Sequence, residues 1–196
     1  MTDTRRYQWM VGGIGLVLVI AFSVYLYVEG GGHTHPGVRE GQRLRHFVAP
    51  LATSNLNAPA NVSPRCNPAR PARRGLNICG REPLVLEFFA LNAQPCIRAV
   101  DALQRVAPRF PGVEFAAVAA GGDKRGTLAL VRSHHWTIPV AYDSTAAVAQ
   151  LYDVAVCPLI EVAGRRGVVT RLLIGERWEH SAALAGVLRR LLPPAI

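Results

Sequence analysis

Four cysteines, Cys66, Cys79, Cys96 and Cys157, are the residues of this 196-residue chain best suited to covalent chemistry. An even number permits two disulfides, in any of three pairings. Cys96 has the most informative surroundings. Residues 84–100 read LVLEFFALNAQPCIRAV: an apolar run, a short polar turn, then a Pro-Cys pair opening an amphipathic stretch. A thiol at the start of a helix has its pKa lowered by the helix N-terminus, which favours the nucleophilic thiolate. With a second thiol in reach it could exchange disulfides. A dithiol turn would place that second cysteine three residues earlier, but position 93 is Ala. Either the second thiol lies elsewhere or the redox site is lost. Glu87 interrupts the same apolar run. Burying a carboxyl is costly unless it is neutral or paired, and burial raises its pKa. A carboxyl poised in this way could move a proton in thiol exchange, whereas a glutamate at a sheet edge or beside an arginine would be structural.

The other candidates read as structure. Cys66 and Cys79 close a loop of about a dozen residues; if joined they form a staple, stabilising by roughly 3 kcal/mol on a chain-entropy basis. Their CNP…CG surroundings lack the CxxC and nearby His of a zinc site. His33 and His35 fall in a Gly-rich linker with no further ligand set. His134, His135 and Trp136 end a predicted helix, where positive charge is favoured. No P-loop, dinucleotide-binding glycine pattern or Ser-His-Asp arrangement is visible. We expect neither a metal nor a cofactor.

These residues need elements to hold them. Half the chain is apolar, enough for one domain with a proper core. The net charge of +9 comes from 21 arginines and one lysine. They are scattered, without the aromatic interleaving of a nucleic-acid surface. Met10 to Val28, MVGGIGLVLVIAFSVYLYV, is 19 residues without a charge. That is long enough to cross a hydrocarbon core. Arg5 and Arg6 precede it, so a cytoplasmic tail (1–9), a transmembrane helix (10–28) and an extracytoplasmic domain are expected. A cleaved signal peptide is the alternative. Residues 29–40 form a flexible linker and 41–196 the domain. HFVAPLA, within residues 42–62, reads as an edge strand or hairpin, and 63–81, with three Pro, two Gly and five Arg, as a loop and not an element.

From there the predicted order is β-α-β-α-β-α-β-β-α: strand Leu84–Ala90, helix 97–110, strand Val113–Ala119, a helix capped by Asp123 and running to about His135, and strand Ile138–Ala141. A helix capped by Ser144 follows, then strands Leu159–Val162 and Val168–Ile174 about a turn, and a helix over 179–192. Alternation first and a hairpin last give an α/β fold with a central mixed sheet flanked by helices.

This order, with Pro-Cys at the first strand-helix turn, resembles the thioredoxin fold, and in detail the membrane-anchored TlpA-like thiol-disulfide oxidoreductases of the redoxin group. The resemblance covers roughly residues 41–192. FFALNAQPC is similar to that family's F-W-A-x-W-C-x-P-C pattern at Phe88, Ala90, Pro95 and Cys96; Gly41, Phe47 and Pro50 resemble its N-terminal hairpin; IPVAYD resembles its strand before the third helix. The departure is Ala93, where the family has its nucleophilic cysteine. Cys157-Pro158 falls where the family has its cis-proline, in a loop that lies against the CxxC turn. The resemblance therefore implies a Cys96/Cys157 pair built from two loops, with Cys157 the more exposed attacker. It also implies that Glu87 serves as the buried proton-shuttling carboxylate and that the Pro158 backbone faces an extended substrate. Its implied partners are protein thiols or disulfides, with a further redox partner of unspecified identity. Two other readings stay open: a redox-inactive binding or assembly module, and a single-cysteine peroxidase acting through Cys96. The latter would want a Pro and a Thr where this chain has Phe89 and Ala93.

Overall fold

The computed structural model describes residues 13–25, 35–65, 74–79 and 83–192. The chain divides into two compact units, Met1–Thr34 and His35–Ile196. In the first, residues 13–25 are helical and exposed throughout. Among the described residues no helix is long and apolar enough to cross a membrane. Residues 10–12 and 26–28 of the expected span lie outside the described residues.

The second unit is built on a five-stranded sheet. Its strands are β3 (Leu84–Phe89), β4 (Glu114–Ala120), β5 (Val140–Asp143), β6 (Leu159–Ala163) and β7 (Val169–Ile174), in spatial order β5-β4-β3-β6-β7. β3, β4 and β5 are parallel, and β6 and β7 are antiparallel additions on the other side of β3. β3 is therefore central, which is why its six residues are all buried and its sequence is a nearly continuous apolar run. Helix α1 (Gln94–Val106) follows β3, α2 (Lys124–Ser133) follows β4, α3 (Ala147–Leu151) follows β5 and α4 (Ser181–Leu191) closes the chain.

Alternation along β3 divides the core. Val85 and Phe89 face the side packed by α1 and α4 through Ile97, Val100, Leu103, Leu184 and Leu188. Leu84, Leu86 and Phe88 face the other side, with Val148 and Tyr152. The order predicted over 84–192 matches, with ends displaced by a few residues. α1 begins at Gln94, because Pro95 is tolerated in the first turn, and gives way at Ala107–Arg109 to a short 3-10 turn at Pro108. The strand expected at 138–141 sits two residues later, at Val140–Asp143.

Three expectations are corrected. The stretch 63–81 is not only loop: Gly75–Ile78 forms β2, antiparallel to β1 (Phe47–Pro50). Its alternation buries Leu76 and Ile78, and that tertiary burial outweighs the Pro/Arg-rich neighbourhood. Ser144 does not cap α3: the helix starts after Ala146, and its first-turn amides of Val148 and Ala149 donate to the Asp143 carboxylate at 2.9 Å each. The close of the expected linker, residues 35–40, belongs to a strap hydrogen-bonded to the domain. The Gly37 amide donates to the Tyr152 carbonyl at 3.0 Å and that of Gly41 to the Val169 carbonyl at 2.8 Å.

Candidate redox site

The chain turns from β3 into α1 through residues 90–93, which bring Cys96 to the first turn of the helix. The Ala93 carbonyl accepts from the amides of both Cys96 and Ile97 at 3.1 Å. No side chain caps this N-terminus and its first turn holds no acid. The partial positive charge of the helix end is thus not offset by any acid or capping side chain beside the Cys96 sulfur.

From the other side comes the loop before β6. Cys157 immediately precedes Pro158, and the peptide bond between them is cis. Cys96 and Cys157 form a disulfide across 61 residues of sequence, with Cα atoms 5.6 Å apart, within the span a disulfide requires. Cys96 is 2 % exposed whereas Cys157 is half-buried. Val156 beside it is 42 % exposed. Among the described residues no backbone hydrogen bond engages Val156 or Cys157, while the Pro158 carbonyl accepts from the Gly175 amide at 3.2 Å.

Glu87 is fully buried, and among the described residues neither carboxylate oxygen has a hydrogen-bond partner. The β-register explains why. Its cross-strand neighbours are Ala117 on β4 and Ile160 on β6, which offer no donor. It shares the face of Val85 and Phe89, the side on which α1 and Cys96 pack. Burial, followed by the charge of Asp101, raises its pKa well above the usual carboxylate range. Asp101 is itself engaged, accepting from Trp136 Nε1 at 2.7 Å and lying 3.0 Å from His134 Nδ1. The His134–Trp136 corner thus closes α2 against α1.

A strand of apolar residues running into an uncapped helix, a thiol in its first turn, a partner thiol before a cis-proline and an unpartnered acid on the same face can be set beside known proteins. No family model and no curated protein matches the sequence. Solved structures do match in shape. The thioredoxin domain of a thiol-disulfide oxidoreductase from Bacteroides vulgatus superposes with a TM-score of 0.58 at 10% identity, covering 78% of this chain and 97% of its own. Peroxidoxin BcpB from Mycobacterium tuberculosis gives 0.57 at 16% identity, over 80% and 97%. A candidate thiol:disulfide interchange protein DsbE from Chlorobium tepidum gives 0.55 at 16%, over 70% and 86%. The fold is thioredoxin-like. At such identities that is a statement of architecture, and the chemistry must come from the site itself.

The thioredoxin-like fold brings Cys96 and Cys157 together and sets Glu87 on the face of the sheet toward α1. Cys79 follows β2 and is disulfide-bonded; Cys66, its expected partner, lies outside the described residues. Of the remaining histidines, His33 also lies outside them.

One residue escaped the sequence reading. Glu161, in LIEVA of β6, is also fully buried. It lies between Leu86 and Leu172 on the face opposite Glu87, and its Oε1 accepts from the Val38 amide of the strap. Burial lifts its pKa to about 7, against the lowering effects of Val38 and Arg45. The signal was present: like Glu87, it is a lone acid inside a buried apolar run.

Proposed function

We propose that this protein is a membrane-tethered, extracytoplasmic thiol-disulfide oxidoreductase of the TlpA-like kind, in which the cysteine missing at Ala93 is replaced by Cys157. The observation that carries the reading is the Cys96–Cys157 disulfide joining a helix N-terminus to the loop before a cis-proline.

A partner thiolate attacks the more accessible Cys157 sulfur. The Sγ–Sγ bond breaks, a mixed disulfide forms at Cys157 and its electron pair leaves on Cys96. The helix N-terminus stabilises that thiolate, and protonated Glu87 supplies its proton. A second partner thiol attacking the partner's sulfur releases an oxidised partner and a reduced pair; two electrons have passed to the protein. In the reverse direction the Glu87 carboxylate takes the Cys96 proton and Cys96 resolves the mixed disulfide. A partner disulfide or dithiol restores the starting state. Exposed Val156, with the Val156 and Cys157 backbone groups that no backbone bond engages among the described residues, offers an extended partner segment both apolar and hydrogen-bonding contact. Residues 10–28 supply the tether, with the N-terminus cytoplasmic.

A formed disulfide argues against the inactive-module reading. It also argues against a single-cysteine peroxidase, since Cys96 is buried and already paired. The test is redox titration of the full chain with mass-spectrometric disulfide mapping, alongside Cys96→Ser and Cys157→Ser. We expect one two-electron couple for 96–157 and loss of exchange in both variants. Full exchange in either variant defeats the two-cysteine mechanism.

A further inference from the structure

At the end of the sheet away from the disulfide, the corner made by β6, β7 and the strap is rich in arginine, with the exposed Glu114 at the start of β4 two strands away. β6 starts directly after Pro158 and its five residues, Leu159–Ala163, carry the chain about 17 Å. Past that end the turn Arg165–Gly167 exposes Arg165 and Arg166. The strap runs alongside it. Arg43 bridges to Val168, the Leu44 amide donates to the Gly167 carbonyl at 2.8 Å, and Val169 exchanges backbone hydrogen bonds with Gln42 and Gly41 at 2.8 Å. These bonds bring Arg39 and Arg43 beside Arg165, Arg166 and Arg171, all exposed. Glu40, 3.5 Å from Arg171, is the one carboxylate paired with any of the five among the described residues.

We propose that this arginine face docks on anionic phospholipid headgroups, so that the Cys96–Cys157 end of the domain is turned away from the membrane. Guanidinium groups bind phosphate oxygens in a bidentate manner. Here they project from backbone already ordered by hydrogen bonds, so little chain entropy is lost on docking. Two features favour lipid over nucleic acid. The five arginines have no aromatic side chain interleaved to stack on bases. The same chain carries the uncharged apolar run 10–28, joined to His35 by six residues, at most about 21 Å of extended chain. An apolar anchor plus a basic patch is the two-signal arrangement that holds a protein on an anionic bilayer. The anchor rests on the tethered reading above; the face does not. The consequence is a stand-off geometry, in which the disulfide serves partners beyond the headgroups and not a carrier dissolved in the bilayer.

The test uses the full chain with vesicles of phosphatidylcholine, alone or with 30 % phosphatidylglycerol, read by amide hydrogen exchange. We expect segments 39–45 and 164–171 to exchange at least tenfold more slowly on the anionic vesicles, an effect cancelled by about 0.5 M salt. Arg43→Glu/Arg165→Glu/Arg166→Glu should lose the protection, since each arginine near an anionic surface is worth about fivefold. Exchange at residues 84–89 checks that the variant stays folded, and salt on the unaltered chain gives the same answer without it. Equal exchange of these segments on both vesicle types overturns the proposal. If the chain fails to float with phosphatidylcholine vesicles, the tethered reading falls. The arginine face then stands only if co-sedimentation with anionic vesicles persists and is lost in the triple variant. Disulfide exchange of that variant in solution should be unchanged, so failure of the redox reading is scored separately.

Discussion

Glu87 and Glu161 lie on opposite faces of one sheet, on adjacent strands. Both are fully buried in apolar runs, and burial raises the pKa of both. Their partners differ. Glu161 commits one oxygen to the Val38 amide and so pins the strap that leads into the domain. Glu87 has no partner for either oxygen among the described residues and shares its face with the helix that bears Cys96. The comparison teaches that burial does not by itself mark a working acid. A carboxyl that commits an oxygen to the backbone is a structural clasp, although Glu161 Oε2, like both Glu87 oxygens, has no partner among the described residues. One left unpartnered on the side of a thiol is a standing cost, of a few kcal/mol for a buried polar group, that folding alone gives no reason to keep.

The largest expected effect is on chemistry. Glu87→Gln should slow disulfide exchange at neutral pH by roughly 10²–10⁴-fold, the range typical of a positioned general acid-base, while thermal unfolding shows no loss of stability. An unchanged exchange rate would put the two glutamates in the same class. Next comes Glu161→Gln, which should leave exchange intact and alter stability. With a folded pKa of about 7 against an ordinary value of 4.5, the native state holds a proton that the unfolded chain releases. The glutamate's contribution is complete below about pH 4.5 and is lost as pH rises through 7, an integrated change on the order of 3 kcal/mol. Denaturation of the glutamine variant across that window should lack this component; an identical pH profile would refute the clasp.

Gly37→Ala strikes the same clasp from the strap side. Gly37 sits at φ +80, and a Cβ there would lie 2.7 Å from Leu172 Cδ1 and 2.8 Å from Glu161 Oε1. We expect a cost of about 1–3 kcal/mol in chemical denaturation, with the redox midpoint unmoved. The smallest effect belongs to a third buried acid, Asp143, whose carboxylate accepts from the first-turn amides of α3. Asp143→Ala should cost about 1 kcal/mol, and Asp143→Asn, which keeps an acceptor, less; calorimetry separates the two.

Much of this was legible in the residues. LVLEFFA announced a central strand because a strand covered on both faces has no polar positions to spare. Pro95 and Cys96 announced a helix start because proline is tolerated only there. Asp123 announced the next, and its carboxylate accepts from the Gly126 amide at 2.7 Å. The failures share a cause. β2 was hidden because its alternation spans only four residues amid Pro and Arg, and it is held by pairing with the distant β1. Ser144 was preferred to Asp143 because a cap is read from sequence adjacency, whereas the carboxylate at the end of β5 reaches five and six residues ahead. Glu161 was passed over although it too is a lone acid in an apolar run, because the partner that gives it a role lies 123 residues away.

By itself, then, the sequence determined the order of elements, the central strand, the helix that presents Cys96 and the presence of a lone acid in that strand. These follow from hydrophobic period, capping and proline geometry, which act over a few residues. Only the tertiary structure decided that Cys157 stands opposite Cys96, that Glu87 has no partner among the described residues and that Glu161 has one, and that the arginine-bearing strap lies alongside the β6–β7 turn. Each is a juxtaposition of segments distant along the chain. Their distances are set by how the sheet and helices pack, and no local pattern encodes them.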